Sequence, residues 1–487
     1  MPYTHGTYGV LTASKVGSAV GTDTVVVYIG TAPVGQLADF SGLVNRPLKI
    51  SSLADAGNKL GASEDWEAYT LMEAVKTHFD SAVGNVGPIY VINVLDPAVH
   101  KKAVKASKTV AVSSGRGAFT DDACVVSTVE IPEKVLGTDF KAYFENGKVV
   151  IEAIDGGLSD GSVSVSYDEA DPAAVTDAAI VGAESAAGVK TGLKALDLLY
   201  GAYNVTPDVL LAPGWSQSPT VYAALVNAAK KINGHFDAFV LADIPLESNS
   251  TAVDTIAKAI AWKAANGYTA ENSKVFWPMA KDAAGKAVHL SCVAAAAMQR
   301  VDAEHDGVPF ESVSNKVVDV VSQYFGEGAE NHGFDQTAGN DLNAAGITTA
   351  VFWGGSWRLW GPHTAAFIYG GDMDERAVFD SAYRMLIYIT NGFQIRNAAY
   401  IDAPLDLNTR DAILNSEQQI LDAYAARGAL LGTPTVEFVS TENPTESIAA
   451  GDFVWHLNVT PAVPLKSATA RVTYTDDGFA VLTGGEQ

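Results

Sequence analysis

Val209-Leu210-Leu211-Ala212 is a short uncharged run of apolar residues that Pro213-Gly214 ends. Ser218-Pro219 follows as an N-cap with proline at the first helical position, opening a helix expected to reach Ile232. Ala238-Phe239-Val240-Leu241-Ala242 is then a second apolar run. Strands buried on both sides read as unbroken apolar runs, so this order predicts a parallel sheet with helices on both faces. The rhythm continues downstream with a helix from Thr251 to Ala265 ended by Gly267, a strand at Val275-Phe276-Trp277, and a helix from Leu290 to Ala303. It also has an upstream counterpart. Val25-Val26-Val27-Tyr28-Ile29-Gly30 reads as a buried strand. Tyr69, Met72, Val75 and Phe79 fall on one face of a helix over Trp66 to Phe79, and Pro88 to Val94 is the next strand.

Between these two blocks the character changes. Lys101, Lys102, Lys105 and Lys108 lead into short alternating stretches. Lys141 to Phe144 and Lys148 to Ile151 flank Glu145-Asn146-Gly147, a hairpin signal, and Ser162 to Tyr167 alternates cleanly. Beyond Asn343, Ile347 to Trp353 and Ser356 to Trp360 form a second expected hairpin around Gly354-Gly355. Two helices follow, Asp374 to Thr390 and Thr409 to Arg427, and then strands at Val436–Val439, Phe453–Val459 and Arg471–Tyr474. The expected organisation is an α/β and α+β multidomain chain with a mixed α/β core sheet. Its parts are an extended N-terminal arm (1–22), the first part of the core (23–97), an inserted small antiparallel β domain (98–188), an α/β domain with parallel strands (189–340), a C-terminal domain (341–465) and a C-terminal strand and arm (466–487).

Composition narrows the function. At 487 residues, roughly three domains are expected. Lys+Arg 32 against Asp+Glu 56 gives a net charge of −24, which repels phosphate backbones and argues against nucleic-acid binding. Cys124 and Cys292, far apart in sequence, suit a reducing compartment and no disulfide scaffold. The N-terminus lacks a basic stretch followed by an apolar one, so no signal peptide is expected, and Pro213 and Pro219 interrupt the longest uncharged run, so no membrane insertion is expected.

Enzyme signatures fail one after another. The histidines form no HExxH pair. Gly182 to Thr191 has one residue too many between its glycines, and Val189 before the lysine, so it would hold a phosphate out of register. Gly214-Trp215-Ser216-Gln217-Ser218 lacks the second glycine of a nucleophile elbow. Glu327, Glu330, His332 and Asp335 read as solvated loop residues rather than metal ligands. At the carboxyl ends of the parallel strands, where an open α/β sheet binds ligands, only Asp243 could move a proton. An α/β enzyme with a ligand near Asp243 is therefore the alternative reading. A surface-layer or shell assembler is a third, weakened by the missing signal peptide and the multidomain length.

The late motifs carry a resemblance. Asp341-Leu342-Asn343-Ala344-Ala345-Gly346-Ile347 resembles the "LN..GI" of contractile tail sheath proteins, and Trp360-Gly361-Pro362-His363-Thr364 resembles their "WG.RT", departing at His363 where arginine is usual. Tyr424 to Gly432 is similar to the family's "L..G.L.G", Asn45 to Ile50 and Tyr90 to Val94 to its "N.P..I" and "YVVRV", and Val205 to Gly214 to its "P.iliaPG" strand. The resemblance implies a structural subunit of a phage tail or phage-like injection machine, built in the cytoplasm of a bacterial host. It implies a helical homopolymer of stacked six-membered rings around an inner tail tube protein, with baseplate and tail terminator proteins as further partners and no cofactor, metal or catalytic residue. Extended arms suit strand exchange between subunits. The residues expected to make it are Thr7, Tyr8, Gly9, Val10 and Leu11, with Arg471, Val472, Thr473, Tyr474, Phe479, Val481 and Leu482. Arg376, Arg384, Arg410 and Arg427 are the residues expected to meet acidic groups of the tube.

Overall fold

A computed structural model describes residues 20–329 and 333–483. The N-terminal segment Thr7–Leu11 lies outside these described residues. Eight strands form the central sheet: β1 Val20–Gly30, β2 Pro47–Ile50, β3 Val86–Asn93, β4 Val209–Leu211, β5 Phe239–Asp243, β6 Ser273–Phe276, β7 Ile347–Trp353 and β8 Ser356–Trp360. Their order is β8-β7-β6-β5-β4-β1-β3-β2. The six inner strands run parallel, and β2 and β8 close the edges antiparallel.

Burial follows the apolar runs. Val26 to Ile29, Val209 to Leu211 and Phe239 to Ala242 are all inaccessible, as strands covered on both faces must be. The helix Leu290–Glu304 lies across β1, β3, β4, β5 and β6. Ala294, Ala295, Ala296 and Ala297 go once round this helix and are all buried, and their small side chains let its backbone sit close to its neighbours. The helices Pro219–Ala228 and Ile256–Ala265 make the crossovers between β4, β5 and β6. The latter starts later than its sequence suggested, because Glu247–Ser248 and Thr251–Ala252 pair as a small ribbon before it.

The insertion is antiparallel and has its own core. Ala106–Val112 pairs with Gly161–Tyr167, while Lys148–Ala153 lies between Arg116–Phe119 and Phe140–Glu145. Asn146 and Gly147 adopt positive φ at the expected turn. Val110, Phe140, Val149, Ile151, Val165 and Tyr167 are buried together, apart from the main core.

A third core lies between the helices Asp380–Asn397 and Leu407–Ala426, where Met385, Ile389, Leu421 and Leu430 pack with Val308. The ribbon Thr435–Glu437 with His456–Asn458 leans on it. Two expectations need correction. The division at 341 runs through the central sheet, since β7 and β8 extend it by pairing β7 with β6. Arg471–Tyr474 is not a strand of any sheet among the described residues; it runs out exposed and without a ladder partner.

Candidate functional site

The carboxyl ends of the parallel strands are closed. Asp243 ends β5, and its carboxylate accepts the backbone N–H of Ser291 at 3.1 Å and the Ser291 hydroxyl, so it neutralises the start of helix Leu290–Glu304. Only 2% of Asp243 is accessible, so the carboxylate expected to face a ligand instead holds the helix start. Burial pushes its carboxyl above the usual range, and the neighbouring His289 and the Ser291 bonds pull it back. His289 Nδ1 lies 2.8 Å from Glu73 Oε2. Burial depresses that imidazole, but Glu73 and Asp243 outweigh it and lift it to about 9. These groups lock helix Thr70–Phe79 to helix Leu290–Glu304.

A second buried polar cluster ties the C-terminal helices to the sheet. Lys274 on β6 is fully buried and its Nζ lies 2.7 Å from Asp380 Oδ2, at the start of helix Asp380–Asn397. The same Nζ donates to the carbonyls of Gly361 at 2.6 Å and His363 at 3.2 Å. One helical turn on from Asp380, Arg384 pairs with Asp302, their side chains 4% and 0% accessible. Asp302 also accepts the Thr24 hydroxyl of β1 at 2.9 Å. Burial raises the Asp302 carboxyl, and Arg384 holds it back. The seam thus joins β1, β6, Leu290–Glu304 and Asp380–Asn397 through paired charges.

The late motifs meet around that seam. His363 stacks flat on Phe367, centroids 3.5 Å apart, and lies against Phe379 at 5.2 Å, while its Nδ1 is 2.9 Å from the Val378 carbonyl. Burial lowers the imidazole to about 4, so it is neutral at pH 7. The cation of this turn comes instead from Lys274, a residue the motif pattern gave no reason to select. Gly361 has φ +136°, and a Cβ there would fall 2.3 Å from Asn343 Oδ1, so the two motifs are in contact through a position only glycine fills. Outside them opens a cleft of about 890 Å³, lined among others by Asn343, Trp360, His363, Tyr369 and Lys466.

The expected surface residues divide. Arg376, Arg410 and Arg427 are on the surface, with side chains 57%, 34% and 46% accessible, each already paired with an acid of this chain. Arg384 is not; its pairing with Asp302 withdraws it from any external contact. Val472 and Tyr474 are 93% and 78% accessible. Phe479, Val481 and Leu482 lie in a short 3-10 coil, Asp477–Thr483, instead of continuing an extended run, since without a strand partner the backbone falls back on local bonds.

No family model matches the chain. A tail sheath protein of Burkholderia phage BcepMu is 29% identical over 481 residues, covering 95% of this chain and 94% of that one. This chain is a homologue of contractile tail sheath proteins. Sheath structures share its fold across nearly all its length. A chain from the anti-feeding prophage baseplate aligns with a TM-score of 0.57 at 13% identity, covering 98% of this chain and 100% of that one. A chain from the sheath complex of an extracellular contractile injection system in its contracted state aligns at 0.56 and 12% identity, covering 98% and 99%.

Among the described residues no group of three His, Cys, Asp or Glu is placed to hold a metal ion, and no helix is long and apolar enough to cross a membrane.

Proposed function

We infer that this chain is the structural subunit of a contractile tail sheath. The observation that carries the reading is similarity along essentially the whole length of a phage tail sheath protein, 481 aligned residues. The chain works by assembly, not by chemistry. It polymerises as stacked six-membered rings around an inner tube, between a baseplate and a terminator, within a phage tail or phage-like particle made in the bacterial cytoplasm. On contraction the polymer shortens and drives the tube through an envelope. The locked clusters around Asp243 and Lys274 support this, because a subunit that transmits force between neighbours needs its bodies held together by contacts that resist shear.

Strand exchange through the arms has two supports. The ribbon Thr435–Glu437 with His456–Asn458 is only two strands wide; Gln418 caps the Val436 N–H on one edge, and the edge along His456–Asn458 is the one left for a neighbour. From Val463 to Thr475 the backbone makes no hydrogen bond to other described residues, so its donors and acceptors are available to a neighbour. The tube-facing residues are Arg376, Arg410 and Arg427, which a tube carboxylate could recruit from their exposed intrachain partners at little cost. Negative-stain microscopy of the purified chain with its tube protein tests the whole reading through the presence or absence of hollow helical tubes.

A further inference from the structure

Asn146 and Gly147 form the turn between the inserted strands Phe140–Glu145 and Lys148–Ala153, and both are exposed. Asn-Gly is also the pair at which a chain can react with itself, because glycine has no Cβ to cover its amide nitrogen from the preceding carboxamide. The sequence contains four such pairs, Asn146-Gly147, Asn233-Gly234, Asn266-Gly267 and Asn391-Gly392. Three are tied down. Asn233 Nδ2 donates to the Asp197 carbonyl at 2.8 Å, and the Gly234 N–H donates to the Lys231 carbonyl at 2.7 Å. Asn266 Nδ2 donates to the Trp262 carbonyl at 2.8 Å, and the Gly267 N–H to the Ala264 carbonyl at 3.4 Å. Asn391 is buried in helix Asp380–Asn397, its carboxamide donating to the Asp237 carbonyl at 2.7 Å and accepting the Asp237 N–H at 3.1 Å. At the inserted hairpin, neither the Asn146 carboxamide nor the Gly147 N–H makes a hydrogen bond to a described residue.

The structure assigns Asn146-Gly147 as a site of self-modification, where the Gly147 nitrogen closes on the Asn146 carboxamide and releases ammonia. The N–Cγ bond forms as the Cγ–Nδ2 bond breaks, and the amide proton leaves with Nδ2. Water then opens the cyclic imide at either carbonyl, leaving aspartate or isoaspartate with no oxidation or reduction. Ring closure needs both groups free, and the hydrogen bonds at the other three pairs must break first, which adds to their barriers. The two products differ in consequence. Aspartate before glycine suits the same turn and adds a negative charge beside Glu145, which pairs with Arg116. Isoaspartate adds a methylene to the main chain inside the tight turn that sets the register of the two strands. Phe140, Val149 and Ile151, which this hairpin contributes to the inserted core, are then held less firmly, while the main core is a separate cluster. The site goes beyond the assembly reading and does not depend on it.

Site-resolved mass spectrometry of the full-length chain, incubated at mildly alkaline pH and then digested, tests the assignment. In the native chain Asn146 should convert to the acid more than about tenfold faster than Asn233, Asn266 or Asn391. In urea, where no fold protects any of them, the four rates should come within about threefold of one another, so that the preference belongs to the structure and not to the local sequence. Hydrogen exchange of the native isoaspartate fraction should be faster across residues 140–153 and unchanged in the central sheet. Equal rates at the four pairs in the native chain, a slower reaction at Asn146 than at any other, or the same tenfold preference in urea would overturn the assignment. An isoaspartate fraction whose hairpin exchanges like that of the unmodified chain would overturn the consequence drawn for the inserted core.

Discussion

Arg384→Met is the substitution that best separates the folded seam from a surface role. Arg384 and Asp302 are both buried, and the Asp302 carboxylate keeps only the Thr24 hydroxyl as a hydrogen-bond partner among the described residues once the guanidinium is gone. Removing one partner of a buried pair costs about 3–5 kcal/mol, because the remaining charge is left uncompensated. At about 2–4 °C per kcal/mol for units of this size, melting of the body that holds the sheet should fall by roughly 6–20 °C. The loss should shrink at acidic pH, where Asp302 can take a proton, its carboxyl being already raised by burial. Adding Asp302→Leu to Arg384→Met should recover most of the stability, since an apolar pair can replace a buried ion pair at little cost. Arg376→Ala, Arg410→Ala and Arg427→Ala serve as comparators: exposed pairs are worth at most about 1 kcal/mol each, so their effect should be on tube binding instead. The assay is thermal unfolding of unpolymerised protein with hydrogen exchange to localise the change, and the inserted domain, with its separate core, should not respond. An Arg384→Met variant that melts like the wild type but binds the tube less well would refute the reasoning.

Two further outcomes follow from the same geometry. His289 is lifted from the ordinary imidazole value to about 9, so its contribution is fully present below pH 6.5 and is lost as pH rises through 9, about 3 kcal/mol in all; melting curves at pH 6 and pH 9.5 should differ by more in the wild type than in His289→Gln, and equal differences would dismiss the Glu73–His289 lock. Truncation after Ala470 should give a chain of unchanged melting temperature that forms no long polymers, because the residues from Arg471 to Phe479 are all exposed; tubes of normal length from the truncated chain would dismiss strand exchange at this end.

Much of the fold was legible because burial on both faces leaves a direct mark. Val25 to Ile29, Val209 to Leu211 and Phe239 to Ala242 have no polar alternation, and each is an inner strand. The turns at Asn146-Gly147 and Gly354-Gly355 were equally plain, since few residues adopt positive φ at both central positions. The seam was not legible. Arg384 was expected at the surface as a tube contact, and Asp380, one turn before it, carried no signal of its own. Only the tertiary arrangement reveals that Lys274 and Asp302 meet these two residues from elements far away in sequence. A lysine inside the apolar strand Ser273–Phe276 was the one available hint. Arg471–Tyr474 misled for the opposite reason. Its alternation suits a strand, but a strand exists only with a partner, and its own chain supplies none among the described residues.

The most direct measurement is negative-stain electron microscopy of the purified chain, alone and mixed with its tube protein. The account predicts long hollow helical tubes in both samples, narrower and longer per subunit when the tube protein fills them. Discrete particles of a few subunits under both conditions would contradict it.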